Sequence, residues 1–489
     1  MTSSPEASAT SSATNEELLA AVRAGRTLVC GAGVSGRGAI AMLRDLNCPE
    51  IVLVDDSPAG ATLGAELKVR AVTTAAAEDL LADTTAVVTS PGWRPATALF
   101  HSASRSGIPV FGDVALAFAG DRAGQWGAPR TWLVVTGTNG KTTTTAMLAE
   151  MLGESAAAVG NIGVALHDAL TRQPRVELLA AELSSFQLHW APNLAPRAGV
   201  LLNLAEDHLD WHGSYENYGT DKTRALKGEI AIAGVDDADV VEHVEKMLRA
   251  GAIREPVVGF TDAAPEHHQV GVRDGMIVDR AFGTAEENAG DGVTIAPTAG
   301  ISPPGRAGVL DAVAAAALAR SVGTAPEQIA QALQRYEVRA HRGQVVHEHG
   351  PIAWIDDSKA TNPHAADAAL SGHERVVWIV GGQLKGADIS PLIAKHAHRL
   401  QAVVVLGVDR EEVAQALSRI APAVPVTTIA DSDKVDAMAK ACVAAAEYAS
   451  EGDVVLLAPA AASLDMFSGM AERGDLFAQW ARKVTDYDG

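Results

Sequence analysis

The sequence predicts an α/β protein with three domains in series, each a mainly parallel β-sheet flanked by helices. Three observations predict this fold class. The chain has 489 residues, too many for one ordinary hydrophobic core, and this length suggests about three domains. Apolar, β-branched runs alternate with helical patterns, which indicates parallel strands joined by helices. Two glycine-rich segments each follow a predicted strand and precede a predicted helix, where parallel sheets bind phosphates.

The strand pattern divides the chain into a tail and three predicted domains, at residues 1–24, 25–128, 129–337 and 338–489. The first domain contains the predicted strands RTLVC, IVLVDD and AVVTS, and the second contains TWLVV, VELLAAEL, AGVLLN and EIAIAGV. The third contains IAWIDDS, RVVWIVGG, AVVVLG and VVLLAPA, whereas DAVAAAALA predicts an alanine-rich helix. The tail lacks the basic residues and the apolar stretch of a secretion signal, and we expect it to be disordered.

Composition and charge narrow the range of partners. A hydrophobic content of 47% and a charged content of 20% are those of a soluble globular protein. The formal charge of −21 argues against nucleic acid or an anionic membrane surface as the main partner. No apolar run reaches the roughly 18 residues of a membrane span, and Cys30, Cys48 and Cys442 form neither a disulfide framework nor a metal spacing. We therefore expect a cytoplasmic monomer that acts on small molecules, without membrane insertion.

The segment VVTGTNGKTTTT, residues 134–145, predicts a phosphate-binding loop. It follows the apolar strand TWLVV and precedes a helical pattern, so that backbone N–H groups and Lys141 face an anion. The hydroxyl of Thr142 stands where it can ligate Mg²⁺. Val135 occupies the position of the first glycine in the standard pattern. Nucleotide binding still explains the arrangement better than a chance Gly-Lys-Thr.

A second glycine motif, GAGVSG, begins at Gly31 and has the dinucleotide-binding spacing. It follows a strand, and Asp55 at the end of the next strand takes the place of a ribose-binding acid. Taken alone, this motif suggests a nicotinamide-dependent dehydrogenase. The same geometry serves any ligand that carries a diphosphate, and a dehydrogenase has no use for a second phosphate loop. We therefore expect two phosphorylated ligands.

Acidic side chains follow two predicted strands of the second domain. Glu182 closes the strand ELLAAEL, and the next strand runs into a segment that carries Asp207, His208 and Asp210. Because ligands of open α/β sheets bind at the carboxyl ends of strands, these acids and the phosphate loop predict a Mg²⁺–nucleotide site. Lys222 lies on a predicted helix, and nothing in its local sequence distinguishes it from a surface lysine.

The third domain carries polar side chains at three predicted strand ends, over glycine or proline bends. These are Asp357, Lys359, Thr361 and Asn362 in WIDDSKATNPHAA, Lys385 and Asp388 in GGQLKGAD, and Ser463 in APAAASLDMF. Together they suggest a small polar substrate.

These motifs, taken together, resemble the Mur ligases, which build the peptide of bacterial cell-wall precursors. TGTNGKTTT, GNIG, ELSSFQL, DHLDWHGSYENY with Lys222, HR at His341 and DDSKATN occur in that family's order, over the whole chain after the tail. DDSKATN, GGQLKGAD and SLDMF resemble the members that add D-glutamate, and the Asp-Asn-Pro-Arg run that selects a diamino acid is absent. Folylpolyglutamate synthases share the ATP domain but begin with it.

The resemblance implies Rossmann-like first and third domains around a P-loop-like central ATPase domain, and a role for each motif. The implied uridine-substrate residues are Gly33, Val34, Ser35, Gly36, Asp55, Asp56, Ser90, Gly92, Asn161, Ser184, Gln187 and His208. The implied ATP residues are Gly137, Thr138, Asn139, Gly140, Lys141, Thr142, Thr143, Asp311, Arg342, Asp357 and Lys359. D-Glutamate would meet Thr361, Lys385, Ser463, Leu464 and Met470.

The resemblance also implies two Mg²⁺ ions, with Mn²⁺ as an alternative. Thr142 and Glu182 would ligate one ion, and His208 and a Lys222 carbamylated by CO₂ would ligate the other. The implied catalytic residues are Lys141, Asn161, Glu182, His208 and Lys222.

The sequence departs from the family's pattern at three places. The GxHNxxN segment that contacts adenine is replaced by GRAGVLD, with Ala307, Gly308 and Asp311. Met470 stands where an aromatic residue borders the D-glutamate site, and Ser57 where an arginine borders the uridine site.

The implied activity is ATP-dependent addition of D-glutamate to UDP-N-acetylmuramoyl-L-alanine through an acyl phosphate, in cytoplasmic peptidoglycan precursor synthesis. Two hypotheses from other classes of function remain open at this point. The protein could be a dehydrogenase or a nucleotide-switched binding protein. ADP release measured with a panel of amino acids distinguishes all three.

Overall fold

The computed structural model describes residues 13–162, 164–338 and 340–485. The chain divides into two compact units. The first holds the described residues up to Ala296 together with Val313–Ala332, and the second holds Pro297–Ala312 and the described residues from Leu333 onward. The first unit contains two β-sheets and the second contains one.

The first sheet has five parallel strands, β1 (Arg26–Cys30), β2 (Glu50–Val54), β3 (Arg70–Val72), β4 (Thr84–Thr89) and β5 (Val110–Gly112). Its helices are α1 (Asn15–Ala24), α2 (Val34–Asp45), α3 (Pro58–Leu67), α4 (Thr74–Glu78), α5 (Ala98–Arg105) and α6 (Asp113–Arg122). The strand order is β3-β2-β1-β4-β5. The order reverses between β1 and β4, so the loops that follow these two strands open the crevice in which such sheets bind ligands.

Helix α1 corrects one expectation. The predicted disordered tail is wrong for residues 15–24, which are helical. Thr14 accepts a hydrogen bond from the backbone of Glu17, whose carboxylate accepts one from the backbone of Thr14, and this capping box starts the helix. Leu18 and Val22 then pack into the core of the first sheet. Residues 1–12 of the predicted tail lie outside the described residues.

The second sheet contains the strands β6 (Thr131–Thr136), β7 (Ala156–Gly160), β8 (Leu178–Glu182), β9 (Ala198–Leu201), β10 (Ile230–Gly234), β11 (Val258–Phe260), β12 (Gln269–Arg273), β13 (Met276–Asp279) and β14 (Val293–Pro297). Its order is β14-β13-β12-β11-β10-β9-β6-β8-β7, with β12 and β13 antiparallel and the strands from β7 to β12 paired in parallel. The helices that follow are α7 (Lys141–Leu152), α8 (Leu166–Thr171), α9 (Ser185–His189), α10 (Leu209–His212), α11 (Tyr215–Thr223), α12 (Ala238–Arg249), α13 (Ala285–Ala289), α14 (Arg306–Ser321) and α15 (Pro326–Arg335). Because β6 lies between β8 and β9, the phosphate loop, Glu182 and the segment after β9 meet at one edge.

The third sheet contains β15 (Gln344–His349), β16 (Ile352–Asp356), β17 (Val376–Gly381), β18 (Leu400–Leu406), β19 (Val426–Thr428) and β20 (Val454–Leu457). Its order is β15-β16-β20-β17-β18-β19, and the pair β15–β16 is antiparallel. Its helices are α16 (Pro363–Ser371), α17 (Ser390–His396), α18 (Arg410–Ile420), α19 (Lys434–Tyr448) and α20 (Met470–Thr485). Every residue of β17 is buried, as expected for a parallel strand covered on both faces.

The fold class is confirmed, because the three sheets are mainly parallel and are flanked by helices. The first two sheets share one compact unit, and a buried ion pair joins them. Arg130, just before β6, donates to Asp121 of α6 at 2.9 Å, and both side chains are almost fully buried. No helix in the described part of the chain is long and apolar enough to cross a membrane.

Candidate active site

The predicted phosphate loop connects β6 to α7. Gly140, the last loop residue, has a φ of 80°, a left-handed conformation that glycine adopts without strain. A Cβ at Gly137 would lie 2.8 Å from the Cβ of Leu202, so only glycine lets the loop cross this strand end. Asn203 clamps the loop, since its side chain accepts from the backbone of Asn139 at 2.8 Å and donates back to it at 3.2 Å.

The cation of the loop lies beside the same strand ends. Lys141 begins α7, and its Nζ donates to the backbone oxygen of Thr138 at 2.7 Å. The Thr138 hydroxyl lies 2.9 Å from the hydroxyl of Tyr218, which stands on α11. The loop is therefore braced by β9 and α11, and its backbone amides precede a helix N-terminus, an arrangement that binds phosphate.

Glu182 links the helix that follows the phosphate loop to the segment after β7. It ends β8 and is 1% exposed. One carboxylate oxygen accepts from the hydroxyl of Thr142 at 2.7 Å, and the other accepts from the side-chain amide of Asn161 at 2.9 Å. The structure thus brings together three residues that lie far apart in the sequence.

Lys222 lies on α11 and is 2% exposed. Its Nζ donates to the backbone oxygen of Gly137 at 2.7 Å and lies 4.8 Å from the centre of the Tyr218 ring. Burial, together with the charge of Lys141, holds the pKa of Lys222 well below its ordinary value. The lysine therefore faces the phosphate loop, contrary to the solvent exposure that its local sequence suggests.

His208 stands at the start of α10 with a left-handed φ of 53°. Its ring lies 4.7 Å from the ring of Phe186 and 3.5 Å from a carboxylate oxygen of Asp207. Burial lowers the pKa of the imidazole, although the charge of Asp207 opposes that shift. A neutral imidazole is the form that binds a metal ion.

A pocket of about 490 Å³ connects these groups. Its walls contain Lys141, Asn161, Ser184, Gln187, His208 and Lys222 from the second sheet's elements, Val34 and Ser35 from the start of α2, and Pro91 from the loop after β4. The pocket therefore lies where the crevice of the first sheet meets the phosphate loop of the second.

The loops of the first sheet are tightly packed at Gly36 and open at Gly33 and Gly92. A Cβ at Gly36 would lie 1.8 Å from the backbone oxygen of Gly31, so α2 packs directly on the turn. At Gly33 and at Gly92, by contrast, a Cβ would meet none of the described atoms within 4 Å. The hydroxyl of Ser90 is buried and has no hydrogen-bond partner among the described residues. This combination leaves room, and one polar group, for a ligand.

Asp55 and Asp56, which follow β2, accept hydrogen bonds from neighbouring loops. Asp55 accepts from the backbone of Ala32 at 2.7 Å and from the backbone of Ser57 at 2.8 Å. Asp56 accepts from the backbone and hydroxyl of Thr74 at 2.8 and 2.6 Å. Asp55 therefore braces the glycine motif, and this role is compatible with a position beside a ribose.

The predicted residues of the third sheet follow three neighbouring strands, β16, β20 and β17. Asp357 follows β16, and burial raises the pKa of its carboxyl to about 7, with the charge of Arg342 opposing the shift. Lys385 follows β17, is exposed, and has a left-handed φ of 55°. After β20, Ser463 is buried, whereas Leu464 is 68% exposed. Lys359 and Thr361 follow Asp357, Met470 begins α20, and Asp311 lies on α14.

Comparison with known proteins identifies the family. The model of the Mur ligase middle domain matches residues 135–272, and that of the Mur ligase glutamate ligase domain matches residues 341–461. A UDP-N-acetylmuramoylalanine–D-glutamate ligase of Corynebacterium efficiens is 52% identical over 458 residues, which cover 93% of this chain and 94% of the relative. The chain belongs to the Mur ligase family.

A second relative and a solved structure of this Mur ligase's family agree with that assignment. A UDP-N-acetylmuramoylalanine–D-glutamate ligase of Corynebacterium diphtheriae is 49% identical, with 93% of this chain and 95% of the relative covered. The crystal structure of the MurF ligase of Thermotoga maritima in complex with ADP is 17% identical, with a TM-score of 0.53 over 90% of this chain and 96% of that one. At this identity the solved structure supports the fold alone. The resemblance found in the sequence motifs is confirmed.

The donor atoms of this Mur ligase fit Mg²⁺. Thr142 and Glu182 offer a hydroxyl and a carboxylate, the oxygen ligands that the ion prefers. Among the described residues, no group of three or more His, Cys, Asp and Glu side chains could hold a metal by itself.

Several residues that shape this site were not predicted from the sequence. Asn203 ends the predicted strand GVLLN, and Tyr218 lies in the quoted motif DHLDWHGSYENY, but neither sequence position indicates a contact with the phosphate loop. Asp221 precedes Lys222 and is buried. Although burial opposes ionisation, hydrogen bonds from His189 and His212 and the charge of Arg224 lower the pKa of Asp221 to about 2. No local pattern predicts this carboxylate, because its partners come from other helices.

Proposed function

We propose that this Mur ligase joins the amino group of D-glutamate to the carboxyl group of UDP-N-acetylmuramoyl-L-alanine, with ATP as the energy source, in cytoplasmic peptidoglycan precursor synthesis. The observation that carries the proposal is a single pocket that contains the loops of the first sheet and Lys141 of the phosphate loop. Such a pocket suits transfer between a nucleotide-linked substrate and ATP. The D-glutamate ligase names of relatives at about half identity support the choice of amino acid.

The reaction needs activation of the carboxylate, because an oxide ion is a very poor leaving group. A carboxylate oxygen attacks the γ-phosphorus of ATP, the bond from that phosphorus to the bridging oxygen breaks, and ADP leaves with the electron pair. The amine of D-glutamate then attacks the carbonyl carbon of the acyl phosphate, inorganic phosphate leaves, and the nitrogen loses a proton. The product is an amide.

The first step brings a carboxylate against a polyphosphate. Two like charges at about 4 Å repel by roughly 4 kcal/mol at an effective dielectric constant near 20. Lys141 supplies a positive charge beside the loop, and the loop amides supply N–H donors. Thr142 and Glu182 would hold one Mg²⁺, and His208 and a carbamylated Lys222 would hold the second. Bound Mg²⁺ neutralises phosphoryl charge and aligns the reacting oxygens.

Carbamylation suits the surroundings of Lys222. A buried ammonium beside Lys141 is disfavoured, so more of the lysine is present as the free amine, the form that adds CO₂. The ammonium first loses one proton, and the free amine then forms a bond to the carbon of CO₂ and releases a second proton, so that a cation becomes an anion. The carbamate would then offer oxygen ligands beside His208.

Substrate roles complete the proposal. In the first domain, residues 25–128, the loops with Gly33 and Gly92 would receive the uridine diphosphate. In the central domain, residues 129–337, Asn161, Ser184 and Gln187 would hold the lactoyl-alanine end. In the third domain, residues 338–489, D-glutamate would bind near Lys385. The remaining predicted ATP and D-glutamate residues are Asp311, Arg342, Asp357, Lys359, Thr361, Ser463, Leu464 and Met470. We propose a monomer.

ADP release, measured with and without each substrate, tests the function. We expect release to require both UDP-N-acetylmuramoyl-L-alanine and D-glutamate, and L-glutamate to be used far less. The Lys141→Ala variant should lose ADP release while keeping its fold and its affinity for UDP. ATP hydrolysis that needs no amino acid would indicate a nucleotide-switched binding protein. A nicotinamide absorbance change without ADP release would indicate a dehydrogenase.

A further inference from the structure

A buried chain of hydrogen bonds runs from Ser185, in the wall of the pocket, to Asp221. Asp221 is 4% exposed, and one of its oxygens lies 2.9 Å from Nδ1 of His189 and 3.0 Å from Nδ1 of His212. The other ring nitrogen of His212 lies 2.9 Å from the hydroxyl of Ser185. Arg224 approaches the second carboxylate oxygen at 3.1 Å. We call these five residues the Asp221 network.

The Asp221 network connects three short helices. Ser185 and His189 stand on α9, His212 on α10 and Asp221 on α11. Helices α9 and α10 have five and four residues, well below the roughly 12 to 15 at which an isolated helix becomes even marginally stable in water. Their positions therefore depend on tertiary contacts, and the network supplies buried polar ones.

Each of the three helices carries a side chain of the pocket. Gln187 stands on α9, His208 directly precedes α10, and Lys222 follows Asp221 on α11. Arg224 also donates to the backbone oxygens of Leu188 and His189, at the end of α9. One carboxylate thus connects the three segments from which these three pocket side chains project.

The geometry also fixes the proton positions on the two imidazoles. An ionised carboxylate accepts hydrogen bonds and donates none. Both His189 and His212 must therefore donate from Nδ1 to Asp221. The Nε2 of His212 is left for the hydrogen bond with the Ser185 hydroxyl. This pattern is a spectroscopic signature of the intact network.

We propose that Asp221 is a positioning residue, whose carboxylate holds α9, α10 and α11 so that Gln187, His208 and Lys222 face one another across the pocket. The inference rests on the proposed function for the roles of those three residues, and it adds a residue that touches neither substrate nor phosphate loop. Residues that orient metal ligands from behind typically contribute about 10- to 100-fold to metal affinity or activity. We expect an effect of that size.

Ser185, His212 and Asp221 also have the connectivity of a hydrolytic triad. Ser185 lines the pocket but is only 2% exposed, and we expect its hydroxyl to serve as a link of the network. A fluorophosphonate probe, which labels activated serines, should leave Ser185 unmodified. Labelling at Ser185 would overturn the positioning role in favour of a nucleophilic one.

The test compares Asp221→Asn with Glu216→Gln, an exposed carboxylate on the same helix that pairs with Lys246. For Asp221→Asn we expect kcat to fall about 10- to 100-fold, with the KM for ATP changed less than about twofold. We also expect loss of the two Nδ1-protonated histidine signals in nitrogen NMR and a weaker Lys222 carbamate signal with ¹³C-labelled CO₂. Glu216→Gln should match the wild type in all four measurements.

A second variant covers the case in which Asp221→Asn does not fold. His212→Gln removes one link and leaves His189 and Arg224 on the carboxylate, and we expect a smaller loss in the same direction. With an active wild type, either variant that folds and is unchanged in kcat and carbamate signal would overturn the positioning role. If the wild type releases no ADP with D-glutamate, the proposed function fails, and the histidine signals still test the network.

Discussion

At the scale of single residues, Lys222 occupies surroundings that oppose a positive charge. Its Nζ is enclosed by the Gly137 backbone and the Tyr218 ring, and the charge of Lys141 adds to the effect of burial on the pKa. A lysine buried without a carboxylate in hydrogen-bond contact is costly as an ammonium. Conversion to an anion that binds a cation removes that conflict.

If Lys222 carries the proposed carbamate, Lys222→Ala should reduce turnover by about 100-fold, because the proposed second metal site would lose an anionic ligand. Partial activity should return when a small carboxylic acid is added to supply the anion. The measurement is the ADP release rate with and without the acid. Lys227→Ala, which changes a nearby lysine outside the pocket, is the matched control. Near-normal turnover of Lys222→Ala would contradict the role of the carbamate.

The same scale shows what a sequence can predict about a single side chain. Lys141 and Glu182 were predicted as site residues because a glycine loop and a strand end place them. The burial of Lys222 could not be predicted from TDKTRALKG, because it depends on α11 packing against a loop more than 80 positions earlier. Only the family resemblance indicated that lysine.

Lys385→Ala should raise the KM for D-glutamate about 10- to 150-fold, since loss of a charge-assisted contact costs about 1.5–3 kcal/mol. The KM for ATP should change far less. Steady-state kinetics with each substrate varied in turn measures both. Lys395→Ala, at an exposed lysine of α17 paired with Asp367, should leave both values unchanged. An unchanged KM for D-glutamate in Lys385→Ala would remove Lys385 from the binding site.

At the scale of elements, the contact between α2 and the turn after β1 depends on a missing side chain. A Cβ at Gly36 would overlap the backbone oxygen of Gly31, which cannot move without shifting β1. Gly38, two residues later on the same helix, would place its Cβ in open space with respect to the described atoms. The two positions therefore differ in packing while sharing a helix.

Gly36→Ala should lower the stability of the first unit by about 1–3 kcal/mol, the usual cost of overpacking, and should weaken UDP binding. Gly38→Ala should be neutral or stabilising by about 0.5–1 kcal/mol, because alanine favours the helix. Urea unfolding and calorimetric titration with UDP measure the two effects. Equal behaviour of the two variants would show that α2 does not require close packing at Gly36.

Elements with strong patterns were predicted and weak ones were missed. The continuous apolar runs of β1, β17 and β18 are typical of strands buried on both faces. The alanine-rich β7 and the three-residue strands β3, β5, β11 and β19 were missed, because neither alanine nor a three-residue run indicates a strand. The strands β12 to β15 were missed as well, although each contains β-branched residues. Helix α1 was missed although its capping box and apolar spacing are present in the sequence.

At the scale of the whole molecule, the net charge and the local charge differ. The chain carries a formal charge of −21, yet Lys141 and Lys222 both line the pocket. Because binding of an anionic substrate depends on the field inside the pocket, an acidic protein can still bind phosphates. The net charge therefore argues against nucleic acid and anionic membranes as partners. It does not argue against binding of phosphorylated substrates.

The assembly of the site was only partly predictable from the sequence. Loops at the carboxyl ends of β1, β6 and β8 were predicted as ligand-binding segments because their motifs are local, and residues after all three strands line one pocket. The Asp221 network was not predicted, because it connects three helices whose packing no single segment encodes. A local motif predicts the chemistry of a site. A positioning residue can be recognised only from the tertiary structure.

The most direct test of the proposed reaction follows one oxygen atom. UDP-N-acetylmuramoyl-L-alanine is labelled with ¹⁸O in its alanyl carboxyl group and is incubated with ATP and D-glutamate. Mass analysis of the released inorganic phosphate is the measurement. Attack of the carboxylate on the γ-phosphorus transfers one labelled oxygen to phosphate, so the account predicts one ¹⁸O per phosphate, formed together with the amide. Unlabelled phosphate would show that water cleaves ATP and would contradict the acyl phosphate.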